Sequence, residues 1–227
     1  MSILELLPIA LLGGVLGLDV VSFPQAMISR PLVAATLAGA LVGQPASGLL
    51  IGVALELVAL ETLPFGASRY PEWGSAAVVG GAIFSAHPSH PAGAMTISVL
   101  GALATTWVGG WTMVKLRQLN ARWARARRDG LEAGARGTVI SLQLMGLTAD
   151  LVRGILLTLI AFVVLSPLAD ATIGLWNTDA RLSRSLVVAT VASVAAGAAW
   201  KLFHATAGAR WFFVGGLVLG LVILFAK

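Results

Sequence analysis

The sequence predicts an all-α, polytopic integral membrane protein with about six or seven apolar helical segments, two of which pair as a re-entrant hairpin. Three observations predict it. Of the 227 residues, 58% are hydrophobic and only 11% charged, with a mean hydropathy of +0.91, which is more apolar surface than a soluble domain of this length can bury. The apolar residues fall into runs of helix length, and helices satisfy their own backbone groups in lipid. Seven of the 15 basic residues (Lys115, Arg117, Arg122, Arg125, Arg127, Arg128 and Arg136) crowd into residues 115–136, the placement expected of a cytoplasmic loop beside spans. One membrane-embedded domain over 1–227 is expected, with no soluble domain appended.

Residues 1–18 contain Glu5 but neither Lys nor Arg, so the basic start of a cleavable signal peptide is missing and the stretch reads as a retained first span. In G-L-D-V-V-S-F-P-Q-A-M-I-S-R-P, which follows, Asp19, Gln25 and Arg30 interrupt the apolar sequence around Pro24. Pro24 and Pro31 each remove a backbone donor and bias the preceding residue away from helix. Such irregular backbone is tolerated at membrane depth only inside protein or beside a polar cavity.

The hairpin is expected at about 29–61. Its apolar runs, 31–43 and 48–60, are each shorter than the roughly 20 residues a span needs and are separated by a G-Q-P-A-S turn. Ser29 reads as the N-cap of the first arm, with Pro31 in its first turn. That N-terminus then offers unpaired amide donors, as half-helices do in transporters. Gly39/Gly43 and Gly48/Gly52 are small-xxx-small pairs that let backbones approach. Glu56 and Glu61 stand inside apolar sequence, where an ionisable group is costly and is by default a functional candidate. The loop L-P-F-G-A-S-R-Y-P-E-W-G carries Arg69, Glu72 and Trp73, and Tyr70 and Trp73 are expected at headgroup level.

Residues 75–86 form a short apolar piece. His87 and His90 each precede a proline, so helical i,i+3 geometry is not expected, and no third ligand stands nearby; no metal site is predicted. The absence of cysteine excludes disulfides, Cys-based metal sites and thiol catalysis. Residues 93–114 are long enough to span and lead into the basic segment, which is helix-compatible, has Leu119, Trp123 and Leu131 as apolar contacts, and is expected to lie along the membrane surface. Arg122, Arg125, Arg127 and Arg128 are candidates for docking a soluble partner as well as orientation determinants.

The next apolar run, 139–165, opens with Gln143, Thr148, Asp150 and Arg153. Asp150 and Arg153 either pair with each other on one helix face or line a polar path. A polar connection is expected over 167–185, with Asp170, Trp176, Asn177, Asp179, Arg181 and Arg184. The last apolar segments, 186–200 and 211–226, are joined by Lys201, His204 and Arg210. Two crossings after Arg136, this joint is expected on the cytoplasmic side again, with His204 at headgroup level.

The runs L-D-V-V-S-F-P-Q-A-M-I-S-R-P-L-V-A-A-T-L-A-G, G-L-L-I-G-V-A-L-E-L-V-A-L and P-F-G-A resemble the N-terminal half of the IIC (permease) subunits of the mannose/fructose/sorbose family of the bacterial sugar phosphotransferase system. Arg30-Pro31 with its small-residue arm and the glutamate of L-E-L-V-A-L carry the likeness. Arg153 in its helix and R-W-F-F-V-G-G near the end extend it more loosely. Two features depart from the family pattern. Y-P-E-W-G stands where a proline-aspartate pattern is more typical, and the chain stops soon after the aromatic-glycine motif, where family members usually continue for about 20 residues.

The resemblance implies a membrane subunit of the bacterial inner membrane, not itself phosphorylated, that pairs with a homologous IID subunit and works with the carriers IIA and IIB. Sugar recognition needs convergent donors and acceptors. In this role Glu56 accepts from two hydroxyls, Asp19 and Gln25 supply an acceptor and an amide, Glu61 adds a second carboxylate, and Arg30 holds the carboxylates or donates to the sugar. The alternative for Arg30 is pairing with Asp19 or Glu56 merely to satisfy charge. Phosphoryl transfer depends chiefly on positioning and electrostatics, and the resemblance makes Glu56 the possible base at the sugar hydroxyl. No metal, cofactor or nucleic acid is expected, and an oligomer is. Two readings compete: a non-transporting scaffold or regulator of the same fold, and an intramembrane enzyme acting on a lipid through Asp19, Glu56, Glu61 or His87.

Overall fold

A computed structural model describes residues 3–60, 69–89, 91–175, 179–204 and 207–225; the side chains of Lys201, His204 and Arg210 lie outside this description, as do His90, Trp176 and Asn177. The described residues contain helices and no strand: α1 (Ile3–Asp19), α2 (Pro31–Leu41), α3 (Pro45–Ala59), α4 (Trp73–Ser85), α5 (Pro91–Ala126), α6 (Arg128–Glu132), α7 (Arg136–Ile173), α8 (Ala180–His204) and α9 (Ala209–Phe225). Three are long and apolar enough to cross a membrane, over Ala92–Ala126, Arg136–Ile173 and Ala180–Trp200. The chain is an all-helical membrane protein.

Helices α2 and α3 are the arms of the hairpin. Their 11 and 15 residues give lengths of about 16 and 22 Å, against a hydrocarbon core of about 30 Å. Each begins with a proline whose missing N–H costs nothing at that position. Gly39, Gly48 and Gly52 bring the arms together: a Cβ on Gly48 would lie 2.3 Å from the Ala35 carbonyl oxygen, and one on Gly39 would lie 2.7 Å from Gly48 Cα. Gly43, expected to pack as Gly39's partner, instead makes the turn, with φ +79° and open space around it.

Helix α4 is the centre of the molecule. All 13 of its residues are buried, and it packs on α1, α2, α3, α5 and α7. A helix enclosed on every side needs small residues where backbones approach. W-G-S-A-A-V-V-G-G-A-I-F-S supplies them: a Cβ on Gly81 would meet Ala35 Cα at 2.7 Å, and one on Gly74 would meet the Leu16 carbonyl oxygen at 2.4 Å. Tyr70 and Trp73 are drawn inside with it, 6% and 7% exposed, rather than lying at a headgroup interface. The backbone explains this, because Glu72 N–H donates to the Thr106 carbonyl at 3.2 Å and Thr106 Oγ1 donates to the Glu72 carbonyl at 2.7 Å, which ties the loop to α5.

Helices α5 and α7, with 36 and 38 residues, are about 54 and 57 Å long, well beyond the bilayer's hydrocarbon. The basic segment therefore does not lie along the surface as a separate helix but continues the axis of α5. No Gly or Pro occurs between Gly110 and Gly130, and Lys, Leu, Arg, Gln and Ala propagate a helix once it is nucleated. The short α6 and Gly134, at φ +64°, reverse the chain into α7.

The expected polar connection at 167–185 is also shorter than composition suggests. Helix α7 passes through Pro167 to Ile173, and α8 starts at Ala180, because a bundle in lipid tolerates an internal proline. The Asp179 carboxylate caps α8 by accepting from Leu182 N–H at 2.7 Å.

Candidate functional site

The polar residues at the hairpin mouth converge. Arg30 directly precedes α2, and its guanidinium pairs with the carboxylate of Glu56 on α3, with Nε donating to Oε1 at 2.7 Å and Nη2 donating to the same oxygen. The other oxygen of Glu56 accepts the Leu32 backbone N–H at 3.2 Å. Glu56 therefore caps the first turn of α2 from across the hairpin, where a carboxylate also meets the positive end of the helix dipole. Ser29, expected as the cap, is not the N-cap residue: Arg30 holds that position and makes no side-chain capping bond. Both members of the pair keep some exposure, 25% for the Arg30 side chain and 20% for Glu56.

Asp19 closes α1 and is 2% exposed. Its two oxygens accept the backbone N–H groups of Ala26 at 2.7 Å and Ser29 at 2.9 Å. The carboxylate thus folds residues 20–30 back on themselves, through Gln25 and Met27 at φ +59° and +62°, and delivers Arg30 to Glu56. Arg30 chooses Glu56 of its two expected carboxylate partners. The Gln25 amide donates to the Val21 carbonyl at 2.5 Å within the same loop, and the residue is exposed. Asp19, Gln25, Arg30 and Glu56 therefore share one neighbourhood, in which Asp19 shapes the backbone and the Arg30–Glu56 pair faces outward. Glu61 lies outside the described residues.

A second polar group, deeper in the molecule, joins α1, α4, α5 and α7. Arg153 donates from Nε to Asp150 at 2.9 Å, and the pair is 9% and 1% exposed. Asp150 also accepts from Ser22 Oγ. Arg153 Nη1 lies 3.4 Å from Thr112 Oγ1, whereas Nη2 and the Glu72 Oε2 nearby are buried without a hydrogen-bond partner. Glu72 is fully buried and caps α4 by accepting Ser75 N–H at 3.1 Å. The i,i+3 spacing of Asp150 and Arg153 announces their pairing. The sequence holds no sign that Ser22 and Glu72 would join them, because both contacts arise from tertiary packing.

At the far end of the long helices Arg122, Arg125, Arg127 and Arg128 are all exposed. Arg128 pairs with Glu132 at 2.6 Å, and Arg127 lies 3.0 Å from the Met145 sulfur. His87 sits between the Ile83 carbonyl and Asp170, 2.8 Å from each. Among the described residues no group of three or more His, Cys, Asp or Glu is placed to hold a metal.

No curated protein matches the chain. Solved structures that share its fold include two membrane proteins. One, described only as a membrane protein, aligns over 100% of this chain and 92% of its own with a TM-score of 0.71 at 17% identity. The other is a mannose transporter, ManYZ, solved in complex with microcin E492; it aligns over 97% of this chain and 87% of its own, with a TM-score of 0.62 at 18% identity. The family model of the sorbose-specific IIC component of the phosphotransferase system matches residues 3–224, so the chain belongs to the sorbose-type IIC family of sugar phosphotransferase permease components.

Proposed function

We propose that this chain is the membrane permease subunit of a phosphoenolpyruvate-dependent sugar phosphotransferase system, which binds a hexose-type sugar and delivers it for phosphorylation by a cytoplasmic IIB carrier. The family match along nearly the whole chain carries this reading. The partners are a IID-type membrane subunit and the IIA and IIB carriers, in an oligomer of the bacterial inner membrane with residues 115–136 on the cytoplasmic side. The likeness in fold to a transporter of mannose, itself a hexose, supports the substrate class.

The sugar site in this proposal is the hairpin mouth. Glu56 and Arg30 are already hydrogen-bonded, so a hydroxyl group enters by using the carboxylate's remaining lone pairs and the guanidinium's remaining N–H groups. Gln25 adds an exposed amide, and Asp19 keeps the loop in shape. The pair gives one charged acceptor beside one charged donor, which suits vicinal hydroxyls and creates no net buried charge. Glu56 is also the candidate to receive the hydroxyl proton as phosphoryl transfer proceeds.

Sealed vesicles holding this subunit, its IID partner and the carriers test the proposal. Donor-dependent phosphorylation of a hexose is expected, and Glu56→Gln, checked for assembly, should lower kcat/KM by about tenfold to a hundredfold, the range of a lost charged hydrogen bond. Full activity in the variant would remove Glu56 from the site. Assembly without any phosphorylation by the native protein would favour a non-transporting relative.

A further inference from the structure

We propose that Ser22, Asp150 and Arg153 form a latch that positions the sugar-binding loop, and that this latch, rather than the hairpin alone, sets sugar affinity. The inference rests on the site assignment above. Residues 20–30 connect α1 to α2 and carry Gln25 and Arg30, yet 22–27 are exposed and include the outward Phe23 and Met27. Val20 and Val21 at its start and Ile28 near its end pack on apolar clusters, but little apolar packing holds 22–27 between them, so the shape of that middle stretch depends on polar ties. Three carboxylates supply them. Glu56 fixes the end of the segment through Arg30, Asp19 fixes its second half through Ala26 and Ser29, and Asp150 fixes its first half through Ser22 Oγ.

The first two ties come from the site residues themselves. The third comes from α7, a different part of the fold, and is built as a fixed point. Asp150 is 1% exposed and cannot turn away, because Arg153 one helical turn along holds its other oxygen at 2.9 Å. Arg153 is in turn held beside Thr112 on α5, with Nη1 3.4 Å from Thr112 Oγ1. Breaking the buried pair would leave Asp150 without its opposite charge, a costly state that keeps the carboxylate in place. Ser22 is the one exposed member, so it is the point where this rigid group reaches the outward side of the site. Arg153 and Asp150 act through Ser22 and are positioning residues; they make no contact with the sugar in this scheme.

The test is steady-state phosphorylation of hexoses by the vesicle-embedded complex with its IID partner and carriers. Ser22→Ala removes one hydroxyl from an exposed position and is expected to raise the KM for sugar about tenfold, leaving kcat at saturating sugar and the melting temperature of the complex unchanged. Ser22→Thr should restore the native KM. Arg153→Lys keeps the charge but loses the fork, and should raise KM in the same way. If Ser22→Ala leaves KM unchanged while Glu56→Gln raises it, the latch is wrong and the site stands. If neither raises it, the site reading has failed as well. A loss of melting temperature and kcat together, without rescue by threonine, would mark Ser22 as a structural residue and overturn the proposal.

Discussion

A glycine in this chain means different things depending on what stands opposite it. Gly48 and Gly43 are both hairpin glycines, but a methyl on the first runs into the Ala35 carbonyl and a methyl on the second meets open space. Gly48→Ala should therefore force the arms apart, at about 1–3 kcal/mol for overpacking. Gly43→Ala should cost about 1 kcal/mol, for the left-handed backbone alone. Gly137→Ala, with nothing within 4 Å of the added carbon, should be neutral. Thermal unfolding of the purified protein in detergent orders the three, and a Gly43 variant worse than the Gly48 variant would refute the assignment of turn and contact. Sequence spacing alone makes Gly39/Gly43 and Gly48/Gly52 look alike, because a small-xxx-small pattern records size and not what faces it. Charged residues were more legible. Glu56 and Arg30 declare themselves by standing in apolar sequence, where charge must be paired, and they are found paired. Ser22 gives no such signal, since a serine near a proline is ordinary loop composition.

At the scale of elements, the unexpected feature is how α5 and α7 leave the bilayer. A basic stretch beside a span can lie flat or project, and its charge leads us to expect the first. Uninterrupted helix formers from Trp111 to Asp129 decide it by continuing α5 as a rod. The 12 residues from Lys115 to Ala126 extend it by about 18 Å. The Trp111 ring, 5.5 Å from the Lys115 amine, marks where the rod begins to carry charge. In the docking role proposed for them, the four exposed arginines near the tip of this rod form one face for a soluble partner, whereas a flat helix would have given them to lipid headgroups. Replacing Arg122, Arg125, Arg127 and Arg128 together by Glu should weaken recruitment of the soluble carrier by about tenfold or more at low salt, with the difference shrinking as ionic strength rises. Sugar binding to the membrane complex, measured without carriers, should not change. Unaltered carrier affinity at every salt concentration would leave the arginines as orientation determinants only. Helix α4 shows the opposite kind of illegibility. Buried all round, it has no polar face to give it a period, so its sequence looks like any short apolar run.

For the whole molecule, the geometry turns the charge asymmetry into a statement about sides. Helices α5 and α7 run antiparallel through the structure, so the tip near Arg125 and the turn after Ile173 lie at opposite ends of the same two helices. If Arg125 faces the cytoplasm, as we propose from the clustering of basic residues, Leu175 must face the other way. The chain has no cysteine, so a single introduced thiol can be read without background. Both positions are exposed, Leu175 by 80%. Leu175→Cys, away from the sugar site and the docking arginines, should leave transport near the native level, and Arg125→Cys, which removes one of the four docking arginines, should lower it by less than the fourfold replacement does. A thiol reagent that cannot cross membranes should label Leu175→Cys in intact spheroplasts and Arg125→Cys only in inverted vesicles. The reversed pattern would place the arginines outside, beyond reach of a cytoplasmic phosphoryl carrier. Labelling of both from one side would mean that α5 and α7 do not cross the bilayer. The experiment therefore tests the direction in which sugar must travel, from the Leu175 end towards the stalk, before any sugar has been identified.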